Sequence, residues 1–259
     1  SNQLPRDTWP CDGLLSLHLN LPEFVAYLET YDVPIVDMSP NAEDQFPAVH
    51  EDDVSIGRMA GEYFIERGFR HIAFVITNRR ERQGWNRERG LEECLRNGPA
   101  TFYSIDVSEL SDHLRELPRP LAIMAQDDYE ALKLFPIIEE AGLKIPQDAA
   151  ILGVDNDEVH CELAPIPLSS IETDLNNRGY QAAALLDRMM SGKPAPEEPI
   201  LLPPVNVVTR QSTDILAVDG RPLDGGDNVF STLAHTAGRE TSLTVADNAA
   251  GNGARTVHV

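Results

Sequence analysis

Asp155, Asn156, Asp157 and Glu158 stand together directly after the apolar run 149–154. A short apolar run of that kind suits a strand covered on both faces. In open α/β sheets, ligands bind beyond the carboxyl ends of the strands. A carboxylate and an amide there offer acceptors and donors to a polyhydroxylated ligand. The plainer reading leaves Asp157 as the N-cap of the next helix and the rest as a solvated turn. A second acidic pair, Asp127 and Asp128, closes the apolar run 121–124. A third cluster, His50 with Asp52, precedes a long helical pattern.

Other chemistries fit poorly. No G-x-S-x-G elbow, P-loop or G-x-G-x-x-G after a strand is present. Asp155 and Asp157 open like a calcium loop, but its sixth position is His160 and its twelfth Ile166, so the required glycine and glutamate are missing. His50 and Asp52 lack a third metal ligand, and a hydrogen-bonded histidine is the better reading. Ser169 and Ser170 have no paired base in sequence and read as structural serines. Neither a catalytic constellation nor a metal or cofactor motif emerges, so no enzyme is expected.

The elements that must position these residues are βα units. The run 13–17 reads as a strand, Asn20 and Pro22 as a helix start, and 33–36 as a strand. Ile56, Met59, Ala60, Tyr63 and Phe64 recur at helical spacing, Gly68 ends that helix, and 72–76 reads as the next strand. An arginine-rich stretch then leads into a helix that runs to about Asn97. Strands at 101–105 and 121–124 precede a helix from Asp127 and Asp128 to Ala141, which Pro136 should kink or break and Gly142 closes. Asp174 caps a helix that stops at Gly192, and 200–202 and 205–209 read as two late strands. Strand–helix–strand with short connections means parallel sheets with right-handed crossovers.

Composition narrows the function. The 259 residues carry a net charge of −21, without the basic patch of a nucleic-acid binder. No apolar run is long enough to span a membrane, and nothing resembles a secretory signal. Cys11, Cys94 and Cys161 lack metal or disulfide spacing, and a reducing cytoplasm is the simplest setting. The chain begins at Ser1, as a fragment or a processed product would. Beyond Val218 the texture becomes rich in Gly, Ala, Thr, Asn and Asp, and 214–259 reads as a disordered tail.

Six segments, in order, carry a resemblance. They are HEDDVSIGRMAGEYFIERGFRHIAFV, Arg87-x-x-Gly90-Leu91, AQDDYEAL, IPQDAAILGVDNDEV, PLSSIETDLNNRGYQAAALLDRMMSG and LLPPVNVVTRQST. Together they resemble the sugar-sensing core of lac-repressor-like transcription regulators over residues 11–213. VDNDE, PLSS, GYQAAALLDRMM and LPPVNVVTRQSTD look more narrowly like xylose-operon regulators of the AraC family. The resemblance implies a two-lobed periplasmic-binding-protein type 1 fold, α/β with parallel sheets flanked by helices. The first lobe would comprise 1–77 with 174–201, and the second 78–173 with 202–213. The chain starts at what looks like the third strand, so the first lobe is expected to be incomplete. AraC-type helices should follow Asp214. The Gly- and Ala-rich tail there points to truncation or an altered reading frame.

By residue, the resemblance implies ligand contacts from Asp52, Arg87, Asp127 and Asp155. Asp52 matches the aspartate before the first lobe's long helix, and Arg87 the arginine that hydrogen-bonds sugar hydroxyls. Asp127 stands where many relatives carry asparagine, and Asp155 matches the aspartate at the strand end. His50, Trp85, Arg89, Asn156 and Thr173 are second-rank candidates. Trp85 would offer an apolar ring face, and Arg89 competes with Arg87, which keeps the spacing to Gly90 and Leu91. Asp127 and Thr173 could equally serve local caps and hydrogen bonds. In this reading Asp155 and Asn156 form one wall of a cleft, Asp52 the other, and Arg87 its rim.

The expected function is an effector-sensing domain of a cytoplasmic transcription regulator. It would bind a small-molecule sugar, xylose or another pentose, and signal by cleft closure. A homodimer is implied, with operator DNA contacted only through a domain absent from this chain, and no membrane. A stand-alone or periplasmic sugar-binding protein of a transport system is the alternative, and an enzyme of the same α/β class a third.

Overall fold

A computed structural model describes residues 10–17, 22–39, 45–78 and 82–213, together with four short strand segments beyond them. The N-cap expected at Asn20 lies outside the described residues. The chain divides into two compact units. The smaller draws on Ser1–Asp52 and Asp174–Pro203, with Arg80–Gln83; the larger on Asp53–Arg79, Gly84–Thr173 and Pro204–Val259.

In the smaller unit, β1 (Leu14–Ser16) leads to α1 (Pro22–Leu28) and then β2 (Ile35–Asp37), which pairs with β1 in parallel. A single bridge, Asp37 to Ala48, joins β2 to the approach of β3 (Val49–Glu51). In the larger unit lie α2 (Asp53–Glu66), β4 (His71–Ile76), α3 (Arg82–Leu95, whose first residues fall in the smaller unit), β5 (Thr101–Asp106) and α4 (Leu110–Glu116). They are followed by β6 (Leu121–Ala125), α5 (Asp128–Glu140), β7 (Ala149–Asp155), α6 (Glu158–Leu163) and β8 (Ser169–Glu172). The chain then returns to the smaller unit with α7 (Leu175–Met190) and β9 (Ile200–Leu202), which pairs in parallel with β3. Val36, Met38, Val49, Ala182 and Leu185 are the buried residues joining these pieces.

The larger unit is organised on a six-stranded sheet in the order β10-β8-β7-β6-β4-β5, where β10 is Asn206–Val208. All its pairings are parallel except β10 with β8. Alternate strand residues feed opposite layers, as the period of two demands. Ala73, Val75, Ile123 and Ile151 face α4, α5 and α6. Ile72, Phe74, Met124 and Leu152 face α2 and α3. Burial on both faces is why HIAFVI, LAIMA and AAILGVD are nearly continuous apolar runs rather than alternating ones.

Several expectations need correction. Residues 53–77 belong with the larger unit, not the first lobe, because β4 is hydrogen-bonded between β5 and β6. Helix α5 continues through Pro136, since buried Leu134, Phe135 and Ile138 anchor it on both sides of the proline. Helix α4 has no clear signal in the sequence, because it is short and buries only Leu110 and Leu114. The stretch expected to be a disordered tail lies mostly outside the described residues. Its described parts are β11 (Ala217–Val218), β12 (Arg221–Pro222), β13 (Ser242–Val245) and β14 (Arg255–His258), paired antiparallel. Gly68, Gly142 and Gly192 do terminate helices, all with positive φ of 82°, 73° and 75°.

Among the described residues no helix is long and apolar enough to cross a membrane.

Candidate functional site

At the carboxyl ends of β4, β6 and β7 the larger unit gathers polar groups around one guanidinium. Arg87 on α3 is 1% exposed. Its Nε donates to Asp53 Oδ1 at 2.9 Å, its Nη1 donates to the Gln126 carbonyl, and its Nη2 lies 3.8 Å from Asp155 Oδ1. A buried cation is tolerated only when paired and hydrogen-bonded, and these three partners supply both.

Glycines set the position of that arginine. A Cβ on Gly57 would lie 1.9 Å from the Arg87 carbonyl oxygen, and one on Gly90 would lie 2.0 Å from that of Val54. Helices α2 and α3 therefore touch backbone to backbone, which brings the first turn of α2, with Asp53, beside Arg87. Gly84 makes room in the same way for the Gln126 side chain. Fully buried Gln126 in turn ties down the end of β4, accepting from the Thr77 amide, the Thr77 hydroxyl and the Asn78 amide at 2.6, 2.6 and 2.7 Å.

Asp155 and Asn156 have φ of 99° and 52°. These are left-handed conformations that disfavour ordinary side chains, at about 1–3 kcal/mol each. Local hydrogen bonds, worth about 1 kcal/mol apiece, hold them. The Asn156 amide donates to Ser170 Oγ at 3.0 Å, and Asn156 Oδ1 accepts from Arg210 Nη2 at 2.9 Å. The Asp157 amide donates to Asp128 Oδ2 at 2.8 Å. The Asp157 carboxylate caps α6, accepting from the His160 amide. The bent backbone leaves the Asp155 side chain 36% exposed while one oxygen still faces Arg87. The result is an available carboxylate with a cation behind it, which suits accepting hydrogen bonds from a neutral, hydroxyl-rich molecule.

Asp127 is the N-cap of α5, accepting from the Glu130 amide at 2.7 Å. Burial pushes its carboxyl above the usual range; the cap bond and Arg87 oppose that, and Asp155 adds to it. Asp127 therefore feels the charges of both Asp155 and Arg87. Asp128 is buried, and burial pushes its carboxyl up to about 7 against the hydrogen bonds from Ser170 and Asp157.

The remaining candidates lie elsewhere. His50 Nε2 stands 3.3 Å from the buried Asp37 carboxylate within the smaller unit. Asp52 follows β3 there and its amide donates to the Leu202 carbonyl at 2.7 Å. Trp85 and Arg89 are exposed on α3, whereas Arg87, expected at a rim, is buried. Thr173 is buried, and its hydroxyl has no hydrogen-bond partner among the described residues. Asp53, Gln126 and Arg210 were not singled out from sequence; Asp128 stood out only as half of an acidic pair and Ser170 only as a structural serine. Asp53 and Asp128 each sit one residue beyond a chosen aspartate, so the motif was visible but the register of its contacts was not. Among the described residues no three His, Cys, Asp or Glu side chains could hold a metal ion.

A parallel α/β sheet with a charged, hydrogen-bonded cluster at its strand ends is the construction of a ligand-binding domain. Residues 62–213 match the periplasmic binding protein-like domain, and the chain belongs to that family. It is similar to the xylose operon regulatory protein of Escherichia coli strain K12, with 27% identity over 226 residues, 80% of this chain and 57% of that protein. The fold matches the structure of the xylose-binding transcription activator xylR with a TM-score of 0.72 and 25% identity, over 80% of this chain and 59% of that one. It also matches a LacI-family regulatory protein from Chloroflexus aggregans with a TM-score of 0.65 and 29% identity, over 78% and 77% of the two chains. The chain thus spans less than two thirds of the xylose regulators it resembles.

Proposed function

We propose that this chain is the sugar-sensing effector region of a transcription regulator and that its ligand is xylose or another pentose. The observation that carries this is the partly exposed Asp155 carboxylate, held in left-handed backbone 3.8 Å from buried Arg87. A carboxylate backed by a cation accepts bonds from hydroxyl groups without needing a charged ligand. The likeness to xylose regulators supports the choice of pentose. Asp155, Arg87 and Asp127 are the proposed contacts of the larger unit, with Asn156 and Thr173 in support; Asp52 and His50 are those of the smaller. Ligand binds one conformation of the protein better and shifts the population toward it, as cleft closure would. The protein acts as a homodimer in the cytoplasm. Operator DNA is contacted through an AraC-type domain rather than through these residues, which belong to a chain with net charge −21.

Thermal unfolding with D-xylose, other pentoses and hexoses tests this. A ligand present at about 100 times its Kd adds roughly 2.7 kcal/mol of stability. A shift with D-xylose that is absent in Asp155→Asn is expected; no shift with any sugar would sink the reading.

A further inference from the structure

We propose that Asp128 is a positioning residue: its carboxylate holds the strained turn Asp155–Asn156–Asp157 in the form that presents Asp155. The consequence for ligand affinity rests on the sugar-sensing reading above.

Asp128 is buried at the start of α5, beneath the turn. Oδ1 accepts from Ser170 Oγ at 2.6 Å, and Oδ2 accepts from the Asp157 amide at 2.8 Å and from Cys161 Sγ at 3.4 Å. Ser170 Oγ also accepts from the Asn156 amide at 3.0 Å. Thus two consecutive amides of the turn hang on one carboxylate, one directly and one through a serine. Gly153 on β7 leaves the space: a Cβ there would meet Asp128 Oδ1 at 2.0 Å. Three donors from the turn, α6 and β8 converge on an acceptor-only group, and this fits the ionised form. A proton on Oδ1 would have to donate to Ser170 Oγ, so the serine could no longer donate to Asp128 and its hydroxyl hydrogen would have to turn away from the carboxyl.

The other groups facing Asp128 are known. Asp155 on β7 repels its charge. Cys161 on α6 remains a thiol, pushed up to about 12 by burial and by Asp128 itself, with Arg210 opposing. Ser170 on β8 is uncharged. On its own helix, Asp127 and Glu130 are joined by the cap bond. Because burial brings Asp128 up to about 7, its ionisation, and with it the hold on the turn, changes across neutral pH.

The test uses the whole chain with Asp128→Asn and Ser170→Ala. In the ligand-free protein, NMR hydrogen exchange should speed by about tenfold or more at the Asn156 and Asp157 amides in Asp128→Asn, and at Asn156 in Ser170→Ala, with β6 and β7 amides unchanged. Calorimetry with D-xylose should show affinity weakening as pH falls from 8 to 6 in the wild type and a flat, weaker profile in Asp128→Asn. Unchanged exchange at both amides in both variants, or a pH profile that Asp128→Asn leaves intact, would overturn the proposal. If the wild type does not bind D-xylose, the pentose reading fails by itself and the exchange measurement still decides the positioning role.

Discussion

Gly57 and Arg87 meet through their backbones, with 1.9 Å between a would-be Cβ on the first and the carbonyl oxygen of the second. That approach seats α3 on α2 and delivers the Arg87 guanidinium to Asp53, 2.9 Å away.

Gly57→Ala should therefore damage both fold and site. The new methyl meets backbone, which cannot rotate aside, so a loss of about 1–3 kcal/mol or more is expected. Urea unfolding measures it, and a change below about 0.5 kcal/mol would show that the helices part easily.

Removing the guanidinium leaves its partners unpaired. Arg87→Ala should lower stability by about 3–5 kcal/mol, since Asp53 and Asp155 lose their cation. Arg87→Lys should lose less, because charge is kept while the forked geometry is not. Equal midpoints for the two variants in chemical unfolding would contradict this account.

Asp155→Gly separates binding from stability. Relief of one left-handed residue, about 1–3 kcal/mol, offsets a partly exposed ion pair worth about 0–1 kcal/mol and the entropy of glycine, about 0.5–1 kcal/mol. The variant should be as stable as the wild type or slightly more so, yet bind D-xylose at least about tenfold more weakly. A clear drop in melting temperature would show that no strain is stored there.

Asp128 adds a pH dependence of opposite sign to that of an ordinary paired carboxylate. Its folded value of about 7 lies above the unfolded value, near 3.9, so the folded protein binds the extra proton between them. Its contribution to stability is full below about pH 4 and is lost as pH rises through about 7. Stability of the wild type relative to Asp128→Asn should fall by a few kcal/mol, in order of magnitude, across that interval. A difference independent of pH, in denaturation series at pH 5, 6, 7 and 8, would count against it.

Much was legible in the chain. The runs HIAFVI, LAIMA and AAILGVD had to be strands buried on both faces, and the helical spacing from Ile56 to Phe64 had to be α2. Glycine stops at 68, 142 and 192 and the caps at Asp157 and Asp174 were readable because they depend only on neighbouring backbone. Of the two arginines that compete as candidates, Arg87 lies buried and Arg89 exposed, a difference that the spacing to Gly90 and Leu91 does not state.

The tertiary structure decided what lies between elements. Strand order assigned β4, and with it 53–77, to the larger unit, since hydrogen bonding across a sheet does not follow chain order. It chose Asp53 as a partner of Arg87 and Asp128 as the anchor of the Asp155 turn, because one step along a helix or strand rotates a side chain to another face. Local sequence determined which segments are helix or strand and where acidic groups end them; which carboxylate meets which donor depended on contacts among residues up to dozens of positions apart.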